Sequence, residues 1–367
     1  MGQIADGAGP VVALKGKMGE LDALRGTDPA VVGEVTPLIE LLSNVKESER
    51  AKVLPALLDC AATLLTRRQP LWIDPHYLPR NNPLRNNPVG VFGELDQRIE
   101  EQFGLFLPQP PVPNLIPVVR ETTGERELAG IRMLQEHQPR PIAIRLCKPH
   151  DVEVPDVIRR IRDIAERARV AVDEVHVIVD EQYVKDVDGR LSARDIAVIR
   201  RLADALEPAS VALLSGCTPE VRKDFEPCLR NRTDAQLWGV VAGAVRDATG
   251  IGVRYGDYGI VPPIPKEPKG PITPPNPYVR YTAGGQTLCL AKRVPRNRPN
   301  EGAFADVFSE VADTLTGCPE FAGPDYSWGD HEFVRCRTGG SRRAGQSRDW
   351  LAMATSHHIT HLVRGAA

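Results

Sequence analysis

The chain has 367 residues, of which 42% are hydrophobic and 26% charged, as is typical of a globular protein with one large domain or two ordinary ones. Its net charge of −2 gives no electrostatic reason to expect a polyanionic partner, and no apolar run approaches the ~20 residues that span a bilayer. The N-terminal residues lack the basic stretch and apolar core of a signal peptide, and the seven scattered cysteines contain no CxxC pair. We therefore expect a cytoplasmic protein that does not contact a membrane.

Eight short apolar segments recur along residues 1–260, and most are followed by an amphipathic helical pattern. The predicted strands are Val11–Lys15, Pro37–Leu41, Pro70–Asp74, Leu115–Val119, Pro141–Leu146, Val175–Asp180, Ser210–Ser215 and Gly252–Asp257. Strands that are apolar on both faces and separated by helices indicate a parallel sheet, and eight such units in about 250 residues predict a closed (β/α)8 TIM-like barrel. The alternative is an open doubly wound sheet, but its glycine-rich phosphate turn is not matched by the first turn, ALKGKMGEL.

Local signals predict several of the connecting elements. Residues 47–65 have helical periodicity, and Ser192 with Asp195 and Thr233 with Gln236 resemble capping pairs at the starts of two later helices. The segment 75–88, PHYLPRNNPLRNNP, is too rich in proline for a helix and is predicted to be a loop. It is either a wall of the site or a surface insertion.

Residues 261–277 form a proline-rich linker that ends the barrel. The remaining segment, 278–367, contains a hairpin signal at Gly284-Gly285 and helical patterns over Ala303–Leu315 and Trp350–Val363. A region this small is marginal as an independent domain, so we expect a hairpin-plus-helix extension that packs on the barrel.

Charged residues collect at the ends of the predicted strands, where a closed barrel brings them to one mouth. These residues are Lys15, Lys17, Glu40, Asp74, Arg120, Arg145, Asp180 and Asp257. Lysines and arginines suit an anionic group, so Lys15, Lys17 and Arg145 are candidate substrate-binding residues. Carboxylates can transfer protons or hold Mg²⁺ or Mn²⁺, which makes Glu40, Asp74, Asp180 and Asp257 candidate catalytic residues. An open, wet ring of these charges would indicate a ligand site, whereas a closed and mutually paired ring would indicate a structural core.

The C-terminal region adds further candidates for substrate contact. In the segment HHITH, His357 and His361 have the i, i+4 spacing of metal ligands, but no glutamate lies between them as in a zinc protease. Metal binding, substrate contact and plain packing all remain open for this segment. Tyr255, Trp328, Asp330, His357 and His358 complete the candidate substrate-binding set.

Two functions fit this pattern. The first is a barrel enzyme, hydrolase-like, that acts on a phosphate-containing or otherwise anionic substrate; a glycosidase-like pair, Glu40 and Asp180, also fits the carboxylates. The second is a non-catalytic barrel that binds a partner protein or a nucleic acid through basic residues such as Arg342, Arg343 and Arg348.

Several motifs together resemble one family. They are ALKGKMGELDAL with TPLIEL, then VIVDEQ, RYGDYG with the VRYTAGG hairpin, SWGD and the terminal SHHITHLV. In this order they resemble the "beta protein" family, which is named from a tailed-bacteriophage protein and has no established reaction. The family-type positions are Lys15, Lys17, Glu20, Glu40, Asp180, Gly256, Asp257, Trp328, Gly329, Asp330, His357 and His358. The frequent phage-related context of members implies a role in phage–host conflict. The sequence departs from the family at Leu288–Lys292, where an arginine-glycine ending is expected, which puts an active role for the hairpin in doubt.

Overall fold

A closed parallel barrel forms the body of the protein. The computed structural model describes residues 9–45, 52–106, 113–149, 154–220, 225–265, 275–295 and 301–365. The strands are β1 Val11–Lys15, β2 Thr36–Glu40, β3 Leu71–Asp74, β4 Leu115–Arg120, β5 Ile142–Cys147, β6 Val175–Tyr183, β7 Ser210–Gly216, β8 Cys228–Asn231, β9 Val253–Asp257, β10 Tyr278–Ala283 and β11 Gln286–Ala291. The barrel order is β1-β2-β3-β4-β5-β6-β7-β9, and β1 pairs with β9 to close the sheet. The predicted (β/α)8 barrel is confirmed, and this closure excludes the open sheet.

Helices cover the outside of the barrel and build the extension. They are α1 Met18–Gly26, α2 Pro29–Gly33, α3 Val53–Leu65, α4 Pro83–Asn86, α5 Gly90–Phe103, α6 Glu125–His137, α7 Val154–Ala168, α8 Gly189–Leu206, α9 Thr233–Thr249, α10 Glu301–Thr316, α11 Trp328–Arg335 and α12 Ser347–Arg364. Among the described residues, no helix has the length and apolar character needed to cross a membrane.

The barrel strands are buried on both faces, which explains why their sequences read as nearly continuous apolar runs. Side chains such as Leu38, Ile116 and Ile178 fill the interior of the barrel. The outward-facing side chains, among them Ile39 and Val177, pack against the helices in one large core. Most buried charged side chains of the barrel strands lie at or near the C-terminal strand ends, which define the candidate site, whereas Arg254 lies near the start of β9.

Three local predictions need correction. The proline-rich segment 75–88 is not entirely loop, because Asn82 accepts a hydrogen bond from the Leu84 backbone N–H and so begins the short helix α4. Helix α8 is capped by Asp188 rather than by the pair Ser192 and Asp195, which lie inside it. Likewise, α9 starts without a side-chain cap at Arg232. Most of the predicted helical turns before Val53 lie outside the described residues.

The extension packs on the barrel, as expected, and also has a core of its own. The β10–β11 hairpin is joined by β8, from the segment between β7 and α9, into a three-stranded antiparallel sheet. Phe308, Phe333 and Trp350 build a hydrophobic cluster beside this sheet. On α12, Ile359 and Leu362 instead join the core shared by the barrel and its helices. Helix α12 therefore connects the two cores.

Candidate active site

The strand register places the predicted charges side by side. Lys15 lies opposite Glu40, and Glu40 lies opposite Asp74 across the β1, β2 and β3 ends. On the other side of the mouth, Arg120 lies opposite Arg145. Because neighbouring parallel strands end at the same edge, these side chains meet at the C-terminal face, where barrel enzymes carry their chemistry.

Arg145 is the centre of this arrangement, which we call the mouth network: Lys15, Glu40, Asp74, Arg120, Arg145, Asp180 and Tyr258. The Arg145 Nη1 atom is 2.8 Å from Glu40 Oε1 and 2.7 Å from Asp74 Oδ2. Its Nε and Nη2 atoms are 3.0 and 2.9 Å from Asp180 Oδ2. One guanidinium therefore binds three carboxylates, and all four side chains are buried.

The remaining members close the network. Lys15 forms an ion pair with Glu40, and the Arg120 Nη2 atom lies 2.9 Å from Asp74 Oδ2. The Tyr258 hydroxyl donates to Asp180 Oδ1 at 2.7 Å. Three cations thus face three carboxylates within the barrel mouth. Pairing and hydrogen bonding of this kind are what make buried charges tolerable.

Electrostatics fix the charged state of the mouth network. Burial opposes ionisation of Asp74, but the Arg120 and Arg145 guanidiniums outweigh it and lower the pKa of this carboxyl to about 2. Burial likewise opposes ionisation of Asp180, yet Arg145 and the Tyr258 hydroxyl bring its pKa below the usual value. Both carboxylates are ionised at neutral pH. An ionised, fully paired carboxylate is a weak proton acceptor, so neither is prepared for acid–base work.

The structure does not arrange these carboxylates for a metal ion. The Arg145 guanidinium stands at the point on which Glu40, Asp74 and Asp180 converge. Within the described ranges, no group of three or more His, Cys, Asp or Glu side chains is placed to hold a metal. The predicted Mg²⁺ or Mn²⁺ site therefore finds no matching set of ligands there.

Asp257 belongs to a second buried cluster that joins the barrel to the extension. Its Oδ2 atom accepts hydrogen bonds from Arg232 at 2.7 Å and from the Tyr255 hydroxyl at 2.8 Å. His358 Nε2 lies 3.0 Å from the same atom, and His358 Nδ1 lies 2.7 Å from Thr282 Oγ1. Burial opposes ionisation of Asp257, but His358 and Arg232 outweigh it and lower its pKa.

The order Thr282, His358 and Asp257 resembles that of a hydroxyl nucleophile, its base and an orienting carboxylate. However, the Thr282 side chain belongs to a residue only 2% exposed, in the middle of a hydrogen-bonded hairpin. None of the described clefts that we identify includes it. The three residues therefore fasten α12 and β10 to the end of β9.

His357 and Asp330 form a third cluster, inside the extension. His357 Nδ1 is 2.8 Å from Asp330 Oδ2, and His357 Nε2 is 2.8 Å from the Thr282 carbonyl oxygen. Asp330 also accepts hydrogen bonds from the Tyr281 hydroxyl and from Ser327. Both ring nitrogens of His357 therefore face oxygen atoms of the extension. The His357 ring stacks on Tyr281, with centroids 3.6 Å apart, which is a structural arrangement.

Beside the mouth network lies an open cleft of about 370 Å³, which we call the α1 cleft. Lys15, Lys17 and Glu20 line it where β1 passes into α1, and Arg348 lines it at the start of α12. The two helices approach closely, since a Cβ at Gly19 would come within 2.8 Å of the Arg348 carbonyl oxygen. The cleft volume falls in the range of about 300–1,000 Å³ that is usual for small-molecule sites.

Glu20 differs from every carboxylate of the mouth network. It is 1% exposed, its Oε1 atom accepts a hydrogen bond from the Lys15 backbone N–H at 2.9 Å, and its Oε2 atom is buried without a described partner. Burial is the largest effect and raises the pKa of this carboxyl to about 7, against the opposing influence of Lys15 and Lys17. Glu20 can therefore take up and release a proton near neutral pH.

The other predicted C-terminal residues lie elsewhere. Trp328 packs against Gly26 at the end of α1, where an added Cβ would come within 2.7 Å of the indole ring. The three arginines predicted as a basic surface each have a carboxylate neighbour: Arg342 contacts Glu332, Arg343 contacts Asp306 and Arg348 contacts Asp22. The positive charge of this surface is therefore partly neutralised.

Some residues of these clusters escaped the sequence analysis. Tyr258 follows Asp257 directly, so extending the strand-end rule by one residue would have found it. Arg232 and Asp234 lie at the start of α9 and give no strand-end signal. Glu20 was named only as a family-type position, by resemblance, and its burial has no local signal, because a glutamate in the first turn of a helix is ordinary.

Comparisons with known proteins identify a family for this chain. The model of the family described as Beta protein matches residues 11–364. Among curated proteins, none matches this sequence. A crystal structure from Burkholderia cenocepacia J2315, provisionally described as a lyase/mutase, is similar with 13% identity and a TM-score of 0.33, covering 69% of this chain and 78% of its own. The assignment of the barrel depends on the strand pairing itself and not on that likeness.

Proposed function

The chain belongs to the Beta protein family, and we propose that it is a barrel enzyme that works by acid–base catalysis on an anionic substrate bound in the α1 cleft. Glu20 is the acid–base group. The observation that supports this most directly is a buried carboxyl with one unpartnered oxygen on the wall of an open cleft. Its pKa of about 7 is near the value at which a group both accepts and donates protons efficiently.

The candidate carboxylates of the mouth network receive a different role in this proposal. All three carboxylates, Glu40, Asp74 and Asp180, bind Arg145. Glu40 also forms an ion pair with Lys15, which fixes the end of β1 from which α1 begins. The Lys15 backbone N–H in turn holds Glu20. These residues are positioning residues for the α1 cleft, whereas Lys17 and Arg348 face the ligand.

Hydrolysis is the simplest reaction that this geometry supports. The Glu20 carboxylate accepts a proton from a water molecule as the water oxygen bonds to the electrophilic atom of the substrate. The resulting carboxylic acid then gives that proton to the leaving group as its bond to the same atom breaks. One water is consumed, and Glu20 returns to its starting state.

The test is a screen of the purified full chain with nitrophenyl phosphate monoesters and diesters and with nucleic acids, each with and without Mg²⁺ or Mn²⁺. For any substrate turned over, Glu20→Gln should lower kcat by about 100-fold or more, because general acid–base groups contribute about 10²–10⁴-fold. The matched control is Asp195→Asn, which removes another buried carboxyl of raised pKa, on α8 and not in the lining of the α1 cleft. Equal activity of Glu20→Gln and the wild type, or an equal loss in Asp195→Asn, would contradict the proposal.

The alternative function, a non-catalytic barrel that binds a partner protein or a nucleic acid, is favoured by one observation. The mouth network is closed and balanced, with three cations and three carboxylates among its members. Charged groups that already pair with one another in the barrel mouth gain little from binding a small ligand there. This alternative predicts that charge reversal at Arg342 and Arg343 abolishes binding of such a partner, while Glu20→Gln does not.

A further inference from the structure

The lining of the α1 cleft combines cations with apolar side chains. The cations include Lys17, which is exposed, and Arg348, whose side chain is 40% exposed. The apolar part of the lining includes Pro262, Ile264 and Tyr278. Ile264 is 50% exposed and so offers apolar surface within the cleft. The cleft therefore offers both charged and apolar contacts to a ligand.

The charged contacts include the start of α1. Lys17 is the residue before this helix, and its side chain makes no cap, so the first backbone N–H groups lack a side-chain acceptor. A helix N-terminus attracts anions, phosphate among them. A second observation points to the same place. The Glu20 side chain belongs to the cleft lining and its buried Oε2 atom has no described partner, so in its protonated form this carboxyl has a hydrogen-bond donor to offer an anion.

The number of positive groups distinguishes phosphate from carboxylate. Lys17 and Arg348 line the cleft together with the start of α1, and this number of positive groups suits a group with two negative charges and three acceptor oxygens better than a single carboxylate. Arg348 Nε is engaged by Asp22, but its planar fork has two further nitrogens. Glu220 is the exposed acidic residue of the same lining, so binding depends on local placement rather than on net charge.

We infer that the ligand of the α1 cleft is an organic phosphate with an apolar substituent, its phosphate held by Lys17, Arg348 and the start of α1, and its apolar group held against Ile264 and Tyr278. This inference rests on the proposed function for its location and extends it to the class of substrate. Lys17 and Arg348 come from opposite ends of the chain. The extension therefore supplies part of the site.

The experiment measures binding to the full chain by titration calorimetry at low ionic strength. The probes are phenyl phosphate, inorganic phosphate, benzoate and phenol. Phenyl phosphate should bind about tenfold more tightly than inorganic phosphate or benzoate, the ratio expected from one added apolar contact or one added charge contact. Equal binding of benzoate, tightest binding of phenol, or no binding of phenyl phosphate at millimolar concentration would overturn the inference.

Variants locate the site. Lys17→Gln and Arg348→Gln should each weaken phenyl phosphate binding by about fivefold or more, as for a partly exposed charge-assisted hydrogen bond. Arg343→Gln, an arginine of the same region that does not line the cleft, is the matched control and should leave binding unchanged. Unchanged binding in both cleft variants would also overturn the inference.

Binding and turnover separate the two proposals. Glu20→Gln should still bind phenyl phosphate, because Glu20 is not one of the cations that hold the phosphate. Phosphate binding at Lys17 and Arg348 without any turnover would leave the inference standing and reject the proposed function. Turnover that depends on Glu20, but only for substrates without phosphate, would support the proposed function and reject the inference.

Discussion

The mouth network and the α1 cleft meet at the end of β1, where Lys15 belongs to both, yet their buried carboxyl groups have opposite surroundings. In the mouth network, each carboxylate has a cation within hydrogen-bonding distance, and burial is complete. In the α1 cleft, Glu20 is buried without a partner for one oxygen, and Lys17 remains exposed. The first region has its charges satisfied internally, whereas the second keeps charges that a ligand can satisfy.

Charge at a strand end is therefore not by itself a sign of catalysis. Asp74 and Glu20 lie near the same barrel mouth, but the pKa of Asp74 is lowered to about 2 and that of Glu20 is raised to about 7. Both are fully buried, so the different outcome comes from the neighbours. Asp74 contacts two guanidiniums, while Glu20 has only a backbone N–H as hydrogen-bond donor.

The largest effect should come from removing the extension, which supplies part of the α1 cleft but none of the mouth network. Removing residue 278 and all that follows takes α12 away from the α1 cleft and the β10–β11 hairpin away from β8. It also removes His358 from Asp257, leaving that buried carboxylate with fewer partners. We expect the shortened chain to be insoluble or unfolded, measured by size-exclusion chromatography and circular dichroism. A monomeric shortened chain as heat-stable as the full chain would show that the extension is detachable.

Arg145→Met breaks the mouth network at its centre. Three carboxylates would then lie in the barrel without their shared cation, which should lower the free energy of unfolding by about 3–5 kcal/mol. Urea denaturation of the variant and the wild type measures this difference. A loss below about 1 kcal/mol would mean that the ion pairs do not hold the mouth together.

Glu20→Gln tests the α1 cleft through the pH dependence of stability. The folded protein holds the Glu20 proton up to about pH 7, whereas an unfolded glutamate loses it near its ordinary value of 4.5. The stability of the wild type should therefore fall, relative to that of the Glu20→Gln variant, as pH rises from 4.5 to 7. Above pH 7 this stability difference should stop changing, after a total change of about 3 kcal/mol from its value at low pH.

Thermal denaturation of both proteins from about pH 4 to about pH 9 gives the measurement, since this range brackets the ordinary and the raised pKa of Glu20. Asp195→Asn serves as a comparison, because burial and Glu181 raise the pKa of Asp195 to about 8 and its advantage should continue to grow beyond pH 7. If the stability difference between Glu20→Gln and the wild type does not change between pH 4.5 and 7, the pKa of Glu20 is not raised in the folded protein.

The smallest effect is expected for an exposed ion pair of the extension. Arg343 contacts Asp306, and both side chains are more than 60% exposed. Arg343→Gln should change the free energy of unfolding by less than about 0.5 kcal/mol, because such pairs are solvated and screened. Urea denaturation of Arg343→Gln, Arg145→Met and the wild type under the same conditions compares the two losses in the free energy of unfolding. A loss as large as that of Arg145→Met would mean that exposure does not explain the difference between the two sites.

Local sequence determined much of the barrel. The eight apolar segments are strands because apolar residues on both faces need cover from helices, and errors of one to three residues at their ends do not disturb this pattern. The same sequence also determined that charges would meet at the mouth. It did not reveal β8 or α4, because β8 is a short edge strand stabilised by β11 and α4 is a single turn that depends on an asparagine cap.

Tertiary structure decided which charges pair and which remain available. Arg145 and Glu40 are 105 residues apart in sequence but 2.8 Å apart in the barrel, and Coulomb and hydrogen-bond energies depend on that distance. Similarly, nothing in the first turn of α1 shows that the start of α12 will cover Gly19 and bury Glu20. Burial and neighbours set a pKa, and both are properties of the folded chain. The sequence therefore determined the set of candidate groups, and folding divided it into a closed network and an open cleft.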